Sequence, residues 1–222
     1  MCSKKLINLF FFVVFGLCLF FYSSLSKAQV YESFRLVVLG DSLSSGYNLP
    51  EGAGFVPILQ KALLQDGLDN VEVISAAVAG DTTKKALERF DSVLALKPHA
   101  VLLELGANDI LHGEDLNQTH ENFETIISTF LQRDIPVMLI GVQLPTFSDS
   151  SNRNTLDKIY RNLSKKYDLH FYPHFLDGAI VERFGVYNAK YMLADNIHPN
   201  EEGIKIIVSK IYPNIKKFLK SI

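Results

Sequence analysis

The sequence predicts an α/β fold in which helices cover both faces of a parallel β-sheet. Short apolar runs rich in β-branched residues alternate with longer segments of helical spacing, and this alternation implies right-handed crossovers between parallel strands. The 222 residues, 48% hydrophobic and 21% charged, suit one globular domain with a sizeable core. The sequence shows no internal repeat and no low-complexity segment, so we expect one folded domain over residues 33–222.

Five segments are predicted to form strands and five to form long helices. The predicted strands are 36–39, 71–75, 100–105, 136–140 and 169–172. The predicted helices are 54–65, 82–96 with Asp81 as N-cap, 117–133, 155–167 and 201–220. Residues 173–200 are expected to be irregular, apart from a short helix near 179–184.

Residues 1–28 differ in composition from the rest of the chain. Lys4 and Lys5 precede an apolar run over 6–22, and the segment ends in small and polar residues up to Ala28. This pattern is typical of a secretory signal peptide, and we expect cleavage near Ala28. An uncleaved membrane anchor is the alternative. Either outcome predicts export, to the periplasm of a bacterium or beyond it.

Cleavage would remove both cysteines, Cys2 and Cys18, and three lysines. A mature domain without cysteine excludes a thiol nucleophile and a thiolate metal site. Because the segment contains no acidic residue, the net charge changes from −2 to −5 when its three lysine charges are lost. A mildly acidic surface without a basic run argues against a nucleic-acid partner.

The first predicted strand ends abruptly in small polar residues around Ser42. Ligands of open α/β sheets bind outside the carboxyl ends of the strands, so a hydroxyl at this position is placed to act as a nucleophile. A different interpretation is that Asp41 and Ser42 only cap the helix that follows. A phosphate-binding loop is disfavoured because no Lys-Ser or Lys-Thr pair follows Gly46.

Among the six histidines, His198 has the strongest context as a partner for a serine. Asp195 precedes it by three residues and can hold the imidazole through Nδ1–H, which leaves Nε2 to accept the proton of the serine. Taken alone, this motif is equally explained by a helix start capped by Asn200. His112 and His174 also follow predicted strand ends and remain alternatives. A third ligand that would complete a metal site is not evident, so we predict no metal.

Acyl transfer also needs hydrogen-bond donors for the oxyanion. Three candidates follow three successive strands: the N–H of Ser42, the N–H of Gly80 and the side-chain amide of Asn108. Gly80 lets an acyl group approach its N–H without a Cβ in the way. Each candidate alone is more often a turn residue, but their combination with Ser42, Asp195 and His198 is hard to explain as turns.

These candidates lie in four short sequence blocks. The blocks are Gly40-Asp41-Ser42-Leu43, Ala79-Gly80-Asp81-Thr82, Gly106-Ala107-Asn108-Asp109 and Asp195-x-x-His198-Pro199. In order and spacing they resemble the blocks of the SGNH/GDSL hydrolases, and the resemblance extends from about residue 35 to 219. The run VLLELGAND at 101–109 and Gln143-Leu144-Pro145 further resemble the thioesterase I/lysophospholipase L1 branch, often called arylesterases. Ala107 stands where that branch commonly has a second glycine.

The resemblance implies a three-layer α/β/α, flavodoxin-like fold with about five strands in the order 2-1-3-4-5. It also implies that Ser42 is the nucleophile, that Asp195 and His198 complete its triad, and that Ser42, Gly80 and Asn108 hold the oxyanion. The expected activity is hydrolysis of carboxylic esters or thioesters of lipid-like acyl chains through an acyl-enzyme, with no cofactor. The expected partner is a small acyl substrate, and a membrane would serve only as a source of lipid or through an uncleaved anchor.

Two other functions remain open at this point: a carbohydrate acetylesterase of the same fold, and a non-catalytic α/β binding module.

The segment 141–154 is long for a connection in an α/β unit. It follows the fourth predicted strand, begins apolar and turns polar from Ser148. A solvated connection is the ordinary interpretation of such a loop. Its length and its apolar start favour a mobile flap at the rim of the site, where Leu144, Pro145 and Phe147 would contact the acyl chain.

Overall fold

The centre of the protein is a parallel sheet of five strands, in a computed structural model that describes residues 33–142, 150–181 and 186–222. The described residues all belong to one compact unit, Ser33–Ile222. The strand order is β2-β1-β3-β4-β5, and every neighbouring pair is parallel. The predicted fold class and strand order are therefore confirmed. The strands are β1 (Phe34–Leu39), β2 (Val71–Ser75), β3 (Ala100–Glu104), β4 (Val137–Ile140) and β5 (His170–Tyr172).

The burial of each strand follows its place in the sheet. The inner strands β3 and β4 are buried at every residue, since they have a neighbouring strand on each side and helices on both faces. The edge strand β2 instead alternates, with Val71 and Val73 buried and Glu72 exposed. Continuous apolar runs inside the sheet and an alternating run at its edge explain why the strands were predictable.

Eight α-helices surround the sheet in the described part of the chain. Their bounds are α1 (Ser42–Ser45), α2 (Phe55–Gln65), α3 (Thr83–Glu88), α4 (Phe90–Ala95), α5 (Ala107–Leu111), α6 (Leu116–Leu131), α7 (Ser150–Lys166) and α8 (Glu201–Leu219). A 3₁₀ helix spans Ala189–Tyr191. None of the described helices combines the length and the apolar character that a membrane crossing requires.

The last helix, α8, begins at a side-chain cap and buries one face. The Asn200 side chain accepts a hydrogen bond from the Gly203 N–H at 3.0 Å, which satisfies one of the free donors of the first turn. The apolar residues of α8 recur every three or four positions and are buried. They are Ile204, Ile207, Val208, Ile211, Ile215 and Phe218.

Three local predictions were wrong. The segment 141–154 is not a loop throughout, because α7 begins at Ser150. The expected single helix over 82–96 is two helices, α3 and α4, that meet at Arg89, and Thr82 rather than Asp81 caps the first of them. No helix forms at residues 179–181 either, because Ile180–Val181 is a strand, β6, that pairs antiparallel with Val186–Tyr187, β7. The β-branched pair Ile180-Val181 favours this small hairpin over a helix.

The sheet order also places the polar ends of three strands side by side. Because β1 lies between β2 and β3, the residues that follow these strands meet at one edge of the sheet. Ser42, Gly80 and Asn108 all come from these three connections. The strand order reverses between β1 and β3, and this is where open α/β sheets bind their ligands.

Candidate active site

The turn that carries Ser42 joins β1 to the short helix α1. Asp41 caps this helix, since its Oδ1 accepts the Leu43 N–H at 3.0 Å. A Cβ at Gly40 would lie 2.7 Å from Ser44 Oγ, so only glycine fits there. Gly46 ends the helix in a left-handed conformation with φ of 77°. The sharp turn presents Ser42 as the first residue of the helix, with its N–H outside the helical hydrogen bonds.

His198 contacts both Ser42 and Asp195. Its Nε2 lies 2.8 Å from Ser42 Oγ, and its Nδ1 lies 2.8 Å from Asp195 Oδ2. Both distances are those of good hydrogen bonds. With the proton on Nδ1, the ring donates to the carboxylate and Nε2 accepts from the serine hydroxyl. The structure therefore brings together the three residues that the sequence singled out, across a separation of 156 residues.

The Asp195 carboxyl is fixed by its own loop. Its other oxygen, Oδ1, accepts the N–H groups of Ile197 at 2.9 Å and His198 at 3.0 Å. Desolvation alone would raise the pKa of Asp195, but these two N–H groups and the His198 ring outweigh it and lower the pKa. Asp195 is consequently ionised at neutral pH and can stabilise a protonated His198.

Two further contacts hold the His198 ring and its loop. The Tyr47 ring packs against the imidazole with 4.7 Å between centroids. The Leu193 N–H donates to the His198 carbonyl at 2.8 Å. Tyr47 belongs to the loop after Ser42, so the nucleophile turn and the histidine loop stabilise each other. Tyr47 could not be recognised as a site residue from the sequence, where its one signal is its place five residues after Ser42.

The Gly80 turn follows β2 and lies beside the Ser42 turn. The Val78 N–H donates to the Gly40 carbonyl at 3.0 Å, which joins the two turns. Gly80 has φ of 83°, a conformation that favours glycine, and a Cβ there would meet no atom within 4 Å. Neither the Gly80 N–H nor the Ser42 N–H donates to another described residue. Two backbone donors are thus free for a ligand.

The Arg89 side chain stabilises the Gly80 turn. The Arg89 guanidinium donates to Asp81 Oδ2 at 2.6 Å and to the Ala76 carbonyl at 2.7 Å, so it connects both ends of the turn. This inward-facing arginine lies at the junction of α3 and α4.

Asn108 is buried in α5, directly after β3. Its Nδ2 donates to the Asp81 carbonyl at 2.9 Å and to Asp41 Oδ2 at 3.2 Å. Both amide hydrogens of Asn108 therefore form hydrogen bonds, and the bond to Asp41 is the longer of the two. The next residue, Asp109, accepts hydrogen bonds from Thr83 and Thr119 and ties α5 to α3 and α6. The structure places Asn108 next to the Ser42 and Gly80 turns, with an amide that can serve an oxyanion only after one bond is released.

Two fully buried carboxyls, Asp41 and Glu104, lie at the base of the Ser42 turn. Burial raises the pKa of Asp41 to about 7. The negative charges of Asp109 and Asp81 raise this pKa further, whereas the hydrogen bond from the Leu43 N–H lowers it. Burial and the charge of Asp41 raise the pKa of Glu104 well above its ordinary value. Glu104 was not predicted to be a site residue, although a glutamate inside a continuous apolar strand is a visible signal in the sequence.

Of the three candidate histidines, His198 is the one that contacts Ser42 in the described structure. His112 is exposed at the end of α5, and the Nδ1 of His174 is buried with no hydrogen-bond partner. Leu144, Pro145 and Phe147 lie outside the described residues. In the described parts of the chain, no group of three or more histidine, cysteine, aspartate or glutamate side chains could hold a metal ion.

A groove of about 760 Å³ runs beside the His198 loop. One wall is the loop after Tyr47, and the other is formed by residues 190–193 and the first turn of α8. Charges of both signs line it, and Lys190 lies 3.8 Å from Glu202. The groove has the volume of a small-molecule site, with a more polar lining than such sites usually have. The lining residues are Asn48, Leu49, Pro50, Lys190, Leu193, Asn200, Glu201, Glu202 and Lys205.

The fold and the residues at the sheet edge define the class of protein: an enzyme of the serine hydrolase type. The sequence profile of the GDSL-like lipase/acylhydrolase family matches residues 38–206, and the chain belongs to this family. The resemblance that the four sequence blocks indicated is therefore confirmed.

Named relatives agree with this class. The chain is 32% identical over 205 residues to the arylesterase of Vibrio mimicus, covering 92% of this chain and 98% of the relative. It is 30% identical over 169 residues to thioesterase 1/protease 1/lysophospholipase L1 of Escherichia coli, covering 75% and 76%. A crystal structure of the psychrotrophic esterase EstA from Pseudoalteromonas sp., inhibited by monoethylphosphonate, superposes with a TM-score of 0.76 at 26% identity, covering 85% of this chain and 100% of that one. The protein is thus an SGNH esterase.

Proposed function

We propose that Ser42 is the nucleophile of this esterase, that His198 is its general base and that Asp195 orients and stabilises His198. The observation that supports these roles is the continuous chain of contacts from Ser42 Oγ to His198 Nε2 and from His198 Nδ1 to Asp195, each 2.8 Å long. The ring-nitrogen assignment follows from the carboxylate, which when ionised can accept a hydrogen bond from Nδ1–H but cannot donate one.

The reaction then proceeds in two halves. Ser42 Oγ attacks the carbonyl carbon of the ester while His198 Nε2 takes the hydroxyl proton, and the collapse of the tetrahedral intermediate passes that proton to the leaving alcohol or thiol. Water, deprotonated by His198, attacks the acyl group on Ser42 and releases the acid. Asp195 stays ionised throughout and stabilises the imidazolium that forms in each half.

The oxyanion is held by the N–H groups of Ser42 and Gly80 and by the Asn108 amide. The two backbone groups have no competing acceptor among the described residues, which makes them ready donors. Asn108 contributes by exchanging its 3.2 Å bond to Asp41 for a bond to the oxyanion, while the 2.9 Å bond to the Asp81 carbonyl keeps the side chain in place. The longer bond is the weaker one, so it is the one released.

The substrates are esters or thioesters of lipid-like acyl chains that have a polar leaving group. The names of the relatives, arylesterase and thioesterase/lysophospholipase, support this substrate class. The name thioesterase/lysophospholipase also supports a polar leaving group. The polar groove flanks the His198 loop but is lined by neither Ser42 nor His198. Leu144, Pro145 and Phe147 are proposed to contact the acyl chain, on the sequence argument alone.

The enzyme is also proposed to be exported, with residues 1–28 as signal peptide and 33–222 as the mature hydrolase domain. The basic start, the apolar run and the small polar end of the segment support this. The mass and N-terminal sequence of the protein in a periplasmic fraction would distinguish a cleaved signal from a retained anchor.

The decisive test of the activity uses the mature protein and p-nitrophenyl esters of graded acyl length, beside acyl-CoA and acetylated sugars. We expect kcat/KM to rise from acetate to medium-chain esters and to be small for acetylated sugars. The opposite ranking would make the protein a carbohydrate acetylesterase. Labelling of Ser42 by a fluorophosphonate, absent in Ser42→Ala, separates either enzyme from a non-catalytic binding module.

A further inference from the structure

Glu104 is a buried carboxyl that none of the steps above uses. It is the last residue of β3, has 0% exposed surface and lies against the turn that carries Ser42. Its Oε2 contacts the Ser44 hydroxyl at 2.5 Å and lies 3.5 Å from the Asp41 N–H. A Cβ at Gly40 would lie 2.9 Å from the same oxygen. Glu104 is therefore packed against three residues of the nucleophile turn, Gly40, Asp41 and Ser44.

An ionised Glu104 would be poorly stabilised at this position. Its second oxygen, Oε1, is buried and has no hydrogen-bond partner among the described residues. The 3.5 Å contact to the Asp41 N–H is too long to be a strong hydrogen bond. Among the described residues, no lysine, arginine or histidine forms an ion pair with Glu104. One good donor does not compensate the desolvation of a buried carboxylate.

A neutral carboxyl fits the same contacts. With a proton on the carboxyl, the 2.5 Å contact joins two groups that can each donate and accept, and the unpartnered Oε1 no longer carries negative charge. Leaving a neutral acceptor without a partner costs far less than leaving a charged one. Asp41 differs from Glu104 because each of its oxygens has a donor, the Leu43 N–H and the Asn108 amide.

We propose that Glu104 holds a proton at neutral pH and that this neutral carboxyl is a positioning residue, which fixes the nucleophile turn through Ser44 and leaves Asp41 as the carboxyl of the pair that ionises first as the pH rises. The proposal rests on the proposed role of Ser42 as nucleophile. Its catalytic consequence is electrostatic. A second buried carboxylate beside Asp41 would oppose the negative charge that develops on the oxyanion.

The charged and titratable groups around Glu104 favour the same state. Asp41 lies across the turn, and its negative charge disfavours a second one on Glu104. The Tyr160 hydroxyl of α7 donates to the Leu105 carbonyl at 2.6 Å and gives no hydrogen bond to Glu104. Asp109 and Asp81 add negative charge around Asp41. The nearby cation Arg89 is paired with Asp81 at 2.6 Å.

The direct test is infrared spectroscopy of the mature protein with ¹³C-labelled glutamate. We expect the carbonyl band of a neutral glutamic acid at pH 7, lost in Glu104→Gln and retained in Glu72→Gln, the exposed glutamate of β2. The isotope separates this band from any neutral aspartic acid, including Asp41. Absence of the band between pH 5 and pH 8 in wild type would overturn the proposal, and this readout does not depend on catalysis or on the role of Ser42.

The second test is the pH dependence of unfolding in urea. An acid whose pKa is raised by folding stabilises the protein fully below its unfolded pKa, and this contribution is lost as the pH rises toward the folded pKa. The ratio of the unfolding constants of wild type and Glu104→Gln should therefore increase by up to about tenfold per pH unit from pH 5 to pH 7. A ratio that stays constant would contradict a protonated Glu104.

The positioning role is tested by kinetics and rescue. Glu104→Ala removes the contact to Ser44, and we expect kcat to fall about tenfold or more with little change in KM, because the reacting geometry is lost while substrate binding is kept. Glu104→Gln, which has the shape of the neutral acid and can donate to Ser44, should restore most of that kcat. A Gln variant as impaired as the Ala variant would show that a neutral side chain does not suffice.

Discussion

Asp195→Asn is expected to impair the enzyme through the wrong histidine tautomer, for a reason specific to this loop. Oδ1 of Asp195 accepts two backbone N–H groups, at 2.9 and 3.0 Å. An asparagine must keep its oxygen there, because its NH₂ group would clash with two donors. The NH₂ group then faces Nδ1 of His198, which becomes an acceptor, and the ring proton moves to Nε2. A protonated Nε2 cannot accept the proton of Ser42.

The size of the effect follows from this loss of the general base. Where an aspartate of such a triad is replaced by asparagine, kcat falls by about 10⁴, which corresponds to about 5.4 kcal/mol of transition-state stabilisation. We expect the same order here with KM nearly unchanged, slightly milder than removal of Ser42 itself. The assay is steady-state hydrolysis of p-nitrophenyl butyrate, with Asp157→Asn on the surface of α7 as the matched control.

Asp195→Ala sharpens this test. Alanine places no donor against Nδ1, so the productive tautomer stays accessible, and we expect Asp195→Ala to be at least as active as Asp195→Asn. The tautomer argument would be refuted if Asp195→Asn kept activity within about tenfold of wild type, or if Asp195→Ala were much the worse of the two.

Four further outcomes are expected. Ser42→Ala should fold normally, lose fluorophosphonate labelling and lose several orders of magnitude in kcat, and a folded variant with near wild-type turnover would exclude Ser42 as nucleophile. Asn108→Ala should lower kcat by roughly 10²–10³ with little change in KM, whereas a change mainly in KM would make Asn108 a substrate-positioning residue. Asp41 has its pKa raised from 3.8 to about 7, so stability from this group is present below pH 3.8 and is lost as the pH rises to 7, by on the order of 4 kcal/mol. In Asp41→Asn this slope should be missing from urea unfolding curves between pH 4 and pH 7, and parallel curves would contradict the raised value. Replacing both Leu144 and Phe147 by Ser should lower kcat/KM for medium and long acyl esters far more than for acetate esters, because each buried CH₂ contributes about 0.8 kcal/mol, and an unchanged ratio would place the acyl pocket elsewhere.

The strands of the sheet could be predicted because their amino-acid composition reflects how deeply they are buried. β3 and β4 are buried at every residue, and such strands appear in a sequence as unbroken apolar runs. The strand order, in contrast, came from resemblance to a family. The hairpin at Ile180–Val181 was missed because a short apolar segment is compatible with either a helix or a strand, and its partner at Val186–Tyr187 decides between them.

Residue types and spacing could indicate the site, but they could not give its hydrogen bonds. Asp195 and His198 lie three residues apart, so their contact was visible in the sequence, whereas the contact of Ser42 with His198 joins residues 156 positions apart and depends on the whole fold. The engagement of both Asn108 hydrogens could not be foreseen, because it depends on the approach of Asp41 and the Asp81 carbonyl from two other connections.

Two interpretations of the Ser42 turn, as a helix cap and as part of a catalytic site, are compatible, and Asp41 shows why. Asp41 does cap α1, as that interpretation held, since its Oδ1 accepts the Leu43 N–H. Its other oxygen accepts the Asn108 amide, so the cap also connects the nucleophile turn to a proposed oxyanion donor. The cap therefore cannot be exchanged freely for serine or threonine, although these residues cap helices well, because their single hydroxyl oxygen cannot make both contacts with the same reach. On this argument Asp41→Ser should preserve α1 and still lower kcat, by disordering Asn108.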